Sequence, residues 1–256
     1  MTPLQYKSQY LHLRVLERLL QTTPDQDCQI RTTSVHISKY RSAGNTASTI
    51  TATSSRSAIE SAVNLIEKRR IIGLIRQTGN NGLDREAVSK CFHGKGSVAD
   101  CQKTVTALVA VHATDHLQSY CDQYLGTDCS GFVNSYFSSV HGVPAKAIRF
   151  YFTRGRRNQR IRFNDFRNND VLIWCDVHGN TNDVNEKAEH IAIINTVRGI
   201  STNALQALVV ESTGTFGLVH SNYTFFNTRI PEVYRIFRPL KPGITNYVKV
   251  VPALLQ

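Results

Sequence analysis

No run of about 18 apolar residues occurs anywhere in the 256-residue chain, so no membrane-spanning helix is expected. Acidic residues are also scarce: 19 Asp and Glu stand against 30 Lys and Arg, a formal net charge of +11. That imbalance favours a polyanionic partner, whether an acidic cell wall, nucleic acid or an anionic membrane face. The six cysteines, Cys28, Cys91, Cys101, Cys121, Cys129 and Cys175, form neither a CxxC pair nor a Cys/His ladder, so no metal site and no cofactor is expected. The N-terminal stretch MTPLQYKSQYLHLRVLERLL lacks an early basic cluster, an uninterrupted apolar stretch and a small-residue cleavage site. No cleaved secretory signal is therefore expected, and any export would need a signal-independent route.

What is present suits a globular protein: 41% hydrophobic residues, 10 Tyr and 1 Trp can build a core. The densest basic run, TRGRRNQRIR at 153–162, carries no nucleic-acid signature and reads as a solvated loop. Leu11, Leu13, Val15, Leu16, Leu19 and Leu20 predict an amphipathic helix over 5–21. The Ser/Thr-rich stretch 32–57 reads as a loop, and further helices are expected over 57–77 and 98–118. The texture changes at residue 124. The segment DCSGFVNSYFSSVHG places Phe132, Val133, Tyr136, Phe137 and Val140 on one helical face, with Thr127 or Asp128 as N-cap and Gly142 as terminator. Short apolar runs follow, DVLIWC, HIAIINTV, ALQALVVEST, GLVHSNYTFF and EVYRIFRPL, which predict strands. A helix followed by adjacent strands predicts an α+β fold with an antiparallel sheet. The expected organisation is a mainly helical region over 1–97 and a second domain over 98–256.

Cys129 would open the helix, where the positive end of the helix favours a thiolate, and Ser130 and Gly131 keep its surroundings small. A thiol nucleophile needs a base. His190 heads the pattern HIAII at the rim of a predicted sheet; His178 and His220 are rivals. Glu211, ending the apolar run LVVE, is a carboxylate whose burial would call for a partner such as His190. Cys91 and Cys101 could close a disulfide in an oxidising compartment, whereas in a cytosolic chain two free thiols are the favoured state.

The segment YLGTDCSGFV resembles the nucleophile motif of the NlpC-type cell-wall cysteine peptidases, a papain-like family in which Asp-Cys-Ser-Gly opens the catalytic helix. The order that follows is similar too: NNDVLIW resembles a strand entry, HIAII the histidine strand and VVEST the strand of the third polar residue. The resemblance covers about residues 120–240. It implies a papain-like core with Cys129 as nucleophile, His190 as base and then acid, and Glu211 as orienting group. It further implies Tyr124 near the thiol and auxiliary places for Asp128 and Ser130 beside it. Glu211 departs from the family's more usual His, Asn or Gln, although a related amidase branch accepts Glu. Asn168 and Asn169 stand where the family has Pro and Gly.

The implied substrate is an amide bond in peptidoglycan stem peptides. Without an export signal, the implied setting is an antibacterial toxin that a type VI or similar device carries into a target-cell periplasm, with an immunity protein and a secretion carrier as partners. On that reading Glu211→Gln is a mild substitution, because it keeps an acceptor oxygen. Two other readings stay open: a thiol enzyme acting on a cytosolic protein or lipid, as deamidases and acyltransferases do, and a basic nucleic-acid-binding module with a structural cysteine.

Overall fold

The computed structural model describes residues 1–18, 30–41, 60–65, 85–110, 113–147, 150–151, 158–181 and 190–253. Most of the expected helix 57–77, the Ser/Thr stretch beyond residue 41, and residues 153–157 of the basic run lie outside the described residues. The chain forms two compact units. One comprises Ser8–Asp128 with Gly214–Gly217; the other comprises Met1–Lys7, Cys129–Thr213 and Leu218–Gln256.

The chain opens with helix α1 (Pro3–Tyr10), then β1 (Leu13–Arg18) paired antiparallel with β2 (Ile30–Val35) from Leu13↔Val35 to Arg18↔Ile30. The expected helix over 5–21 thus ends at Tyr10. Leu13 and Val15 are buried and Arg14 is exposed, a period of two that a strand satisfies and a helix does not. β2 likewise occupies the start of the stretch read as a loop. Helices α2 (Arg85–Phe92), α3 (Val98–Ala110) and α4 (Leu117–Tyr124) follow in this unit, with α2 and β1 against α3 and β2 against α4. Ser97 starts α3 with a reciprocal cap: its hydroxyl takes the Asp100 N–H at 3.1 Å while the Asp100 carboxylate takes the Ser97 N–H at 2.9 Å. The expected helix 98–118 is therefore two helices, with residues 113–116 non-helical between them.

The second unit starts its main run with α5 (Cys129–His141), whose length matches the expected helix. Gly142, at φ 68°, takes the left-handed conformation that ends it, and the Gly142 and Val143 N–H groups bond the Ser138 and Phe137 carbonyls at 3.2 and 3.1 Å. Six strands follow: β3 (Val171–Cys175), β4 (Ile191–Ile200), β5 (Ala204–Thr213), β6 (Gly217–Asn227), β7 (Tyr234–Phe237) and β8 (Asn246–Val251). They close into an antiparallel barrel in the order β3-β4-β5-β6-β7-β8.

This corrects the expected α+β, papain-like NlpC-type core of a helix on an antiparallel sheet with a mainly helical N-terminal region. The fold is mainly β, and β1–β2 adds strand to the N-terminal part. The physical reason is β8, which pairs with β7 on one side and runs along the whole of β3 on the other, from Val171↔Val251 to Cys175↔Tyr247. With both edges of the sheet paired to the same strand, no edge is left to stay open.

Alternation along the strands fills the barrel. Leu172 and Trp174, Ala192 and Ile194, Leu205, Ala207 and Val209, Tyr223 and Phe225, Tyr234 and Ile236, and Val248 and Val250 all point inward into one core. Phe163 and Phe166 pack edge-on and tilted against Phe225 and Tyr234 at one end. The apolar face of α5 meets β4 and β5, and Tyr6 of α1 lies 6.1 and 5.8 Å, ring to ring, from Phe132 and Tyr136. The Tyr136 hydroxyl donates to the Met1 carbonyl at 3.0 Å, so the first residues hold α5 in place.

Candidate active site

The inward rows of the barrel do not stay apolar to the end. Continuing each by two residues, β5 reaches Glu211 after Leu205, Ala207 and Val209, and β7 reaches Arg238 after Tyr234 and Ile236. The row of Ala192 and Ile194 begins at His190, and Tyr223 stands one step beyond the Thr224↔Phe237 pair, opposite Arg238. The end of the barrel away from Phe163 and Phe166 is thus a cluster of polar side chains fixed by strand register.

Glu211 is 1% exposed and holds the centre of that cluster. One carboxylate oxygen faces His190 Nε2 at 2.8 Å, the other accepts the Tyr223 hydroxyl, and Arg238 Nη2 reaches both at 2.8 and 2.7 Å. Arg238 Nε donates to the Tyr223 oxygen at 2.8 Å. The Trp174 ring stands edge-on to the His190 ring, centroids 4.5 Å apart, and its backbone N–H bonds the His190 carbonyl at 3.0 Å. The imidazole also hydrogen-bonds the thiol of Cys129, the first residue of α5. Since Nε2 is taken by Glu211, the nitrogen presented to sulfur is Nδ1.

The charges alternate from imidazole to carboxylate to guanidinium along this line. Burial alone would lower the His190 pKa, but hydrogen bonds to Cys129 and Glu211 outweigh it and raise the value from the ordinary 6.5 to about 9. Burial pushes the Glu211 carboxyl up, and the bonds and charges of His190 and Arg238 overcome that to hold it at about 2. Burial and the neighbouring carboxylate push the Tyr223 hydroxyl far up, so it remains a donor. A protonated imidazole between sulfur and a fixed carboxylate is the arrangement a thiol nucleophile with a base and an orienting group needs.

Of the residues singled out from the sequence, the structure brings Cys129, His190 and Glu211 into one connected line, although 61 positions separate the first from the second. Ser130 is buried in the first turn of α5. Tyr124 lies in the other unit, its ring 4.6 Å from that of Tyr120 and 6.4 Å from that of Phe92. Asp128, 5% exposed, also belongs to that unit, where its carboxylate pairs with Lys95 and its N–H bonds the Gly94 carbonyl at 2.9 Å.

The rival bases lie elsewhere. His178 lies in a turn where its N–H bonds Asp176, and His220 Nδ1 meets Lys7 Nζ at 3.0 Å. Asn195 accepts the Leu4 N–H at 2.8 Å. Arg238, Tyr223 and Trp174 were not anticipated. The signal for them was present in the alternation of YRIFR and YTF, which carries Arg238 and Tyr223 onto the inward rows once the strands close. Among the described residues, no group of three or more His, Cys, Asp and Glu is arranged to hold a metal ion. Also among them, no helix is long and apolar enough to cross a membrane. No family model, curated protein or solved structure matches the chain.

Proposed function

We propose that the chain is a cysteine hydrolase that cleaves an amide bond in peptidoglycan stem peptides. The observation that carries the reaction class is the continuous line from the Cys129 thiol through His190 to a buried, ionised Glu211. The substrate class is supported by the resemblance of YLGTDCSGFV to the cell-wall peptidase motif and by a net charge of +11, which suits an anionic polymer.

The chemistry divides between two half-reactions. In the reacting form the thiol proton of Cys129 is already on His190 Nδ1, and the sulfur attacks the amide carbonyl carbon to form a tetrahedral intermediate. The C–N bond breaks as the imidazolium returns its proton to the leaving amine, which leaves a thioester on Cys129. Water then attacks the thioester while His190 accepts its proton; the C–S bond breaks, the thiolate is reprotonated, and a carboxylic acid is released. Glu211 keeps Nε2 protonated and the ring aimed, and it transfers no proton itself.

The test is mass spectrometry of muropeptides after digestion of sacculi by wild type and Cys129→Ala in parallel. New fragments with wild type and none with the variant are expected, and the mass of the new termini names the bond. Intact sacculi of every stem chemotype would remove the substrate assignment. Ammonia release or acyl transfer on a protein, still dependent on Cys129, would put a deamidase or acyltransferase in its place.

A further inference from the structure

Arg238 is a costly residue to place where it lies. Its side chain is 5% exposed, its Nη2 forks onto both oxygens of Glu211, and its Nε bonds Tyr223. The guanidinium lies 5.2 Å from the Trp174 ring centre and 5.6 Å from that of Tyr223, so packing as well as hydrogen bonding fixes its plane. A buried ion pair of this kind adds little net stability over a well-packed apolar pair. Its position behind the carboxylate that aims the base gives it a chemical use instead.

We propose, resting on the reading of Cys129 as nucleophile and His190 as its base, that Arg238 is a positioning residue. Its fork holds Glu211 in one orientation and balances its charge, so that His190 stays aimed at Cys129 and can release its proton to the leaving amine. Two effects follow from the geometry. First, a carboxylate on a flexible side chain, tethered only by a ring nitrogen and one hydroxyl, can rotate; Arg238 removes that freedom, because Nη2 meets both oxygens while Nε, in the same rigid plane, bonds the Tyr223 oxygen that itself holds Glu211. Second, the groups facing His190 are Cys129 from α5, Glu211 from β5 and Trp174 from β3, with Tyr223 of β6 and Arg238 behind Glu211. Arg238 is the cation among the groups around His190. Without it the negative charge of Glu211 acts on the imidazole unopposed, the imidazolium is held more tightly, and His190 becomes a weaker acid toward the departing amine.

Trp174, the single tryptophan of the chain, sits against the His190 ring and makes the second effect readable without substrate, because an imidazolium quenches indole fluorescence. The experiment compares the full chain with Arg238→Met and Arg238→Lys. The readouts are Trp174 emission against pH and the pH dependence of kcat and KM for muropeptide release. Wild type should brighten as His190 deprotonates around pH 9. Arg238→Met should move that midpoint up by about one pH unit. It should also lower kcat about 100-fold, the scale of a misaimed catalytic group, with KM little changed. Arg238→Lys keeps the charge and loses the rigid plane that anchors Glu211 and Tyr223 through two nitrogens, so its midpoint should stay near wild type while kcat still falls.

A folded Arg238→Met with an unmoved midpoint and an unaltered pH–rate profile overturns the proposal. If that variant does not fold, Arg238→Lys decides: wild-type kcat there overturns the positioning role, and reduced kcat with wild-type KM supports it. The two readings fail differently. No muropeptide release by wild type, with a midpoint that still moves in Arg238→Met, sinks the substrate assignment and leaves the Arg238–His190 coupling standing. Active wild type with an unmoved midpoint does the reverse.

Discussion

Replacing Glu211 by Gln changes one oxygen to an NH₂ group, and the structure makes that a severe change. The carboxylate receives donors from three side chains: His190 on one oxygen, Tyr223 on the other and Arg238 on both. A glutamine keeps a single acceptor oxygen, and its NH₂ must face at least one of these donors. Arg238 would also be left 5% exposed with its counter-charge gone. Removing one member of a buried ion pair costs about 3–5 kcal/mol, most of it from stranding the other charge. For a chain of this size each kcal/mol is worth about 2–4 °C, so Tm should fall by about 6–20 °C. The assay is thermal unfolding followed by Trp174 emission, which reports on the barrel unit. The double variant Glu211→Gln/Arg238→Met strands no charge and should recover much of the loss, giving a large coupling in a double-mutant cycle. A single Glu211→Gln variant that melts within about 2 °C of wild type would refute the account of this cluster, because a stranded buried guanidinium cannot be that cheap.

From the sequence alone that same substitution reads as mild, and the difference shows where legibility stopped. A row such as ALQALVVE declares which residues share a face, and the helix opening at Cys129 declares its own ends through Gly142. Both are local patterns, and the structure follows them. The 5–21 segment carries two local patterns at once, since Leu-rich spacing fits a helix and the Leu13/Arg14/Val15 alternation fits a strand. Pairing with β2, itself hidden in a Ser/Thr-rich stretch, decides it. Barrel closure depends on NYVKVV, a short run near the end of the chain whose importance lies in two partners far away in sequence. Once that strand is in place, the inward rows converge, and Glu211 becomes the anion at the centre of the polar cluster at one end of the barrel rather than a residue on a sheet. Cys129, His190 and Glu211 were legible because each is chemically conspicuous in a local frame. Arg238 and Tyr223 were not, because an arginine after a strand or a tyrosine within one is ordinary until closure brings them face to face.

Three further outcomes are expected. At neutral pH iodoacetamide should label Cys129 faster than the other described thiols, read by peptide mass spectrometry. Burial pushes Cys121 and Cys175 up to about 12, and a bond to Cys91 together with burial pushes Cys101 well up, so preferential labelling of any of these removes the nucleophile assignment. His190→Ala should abolish muropeptide release as fully as Cys129→Ala, and the double variant should be no worse than either, since the pair acts as one unit; a much slower double variant would mean that the two act separately. The last outcome concerns stability against pH, where the two partners act at opposite ends. Glu211 lies at about 2 when folded against an ordinary 4.5, so its contribution is complete above about pH 4.5 and is lost as pH falls through about 2. His190 lies at about 9 when folded against 6.5, so its contribution is complete below about pH 6.5 and is lost as pH rises through about 9. Denaturant unfolding of wild type should therefore show a plateau between about pH 4.5 and 6.5 with a decline on each side. In His190→Ala the decline between pH 6.5 and 9 should shrink, because the group whose proton is lost there is gone, while the acid limb persists through the Arg238 pairing of Glu211. An alkaline decline of equal size in His190→Ala would place its origin in another group and detach His190 from the Glu211 cluster as an energetic unit.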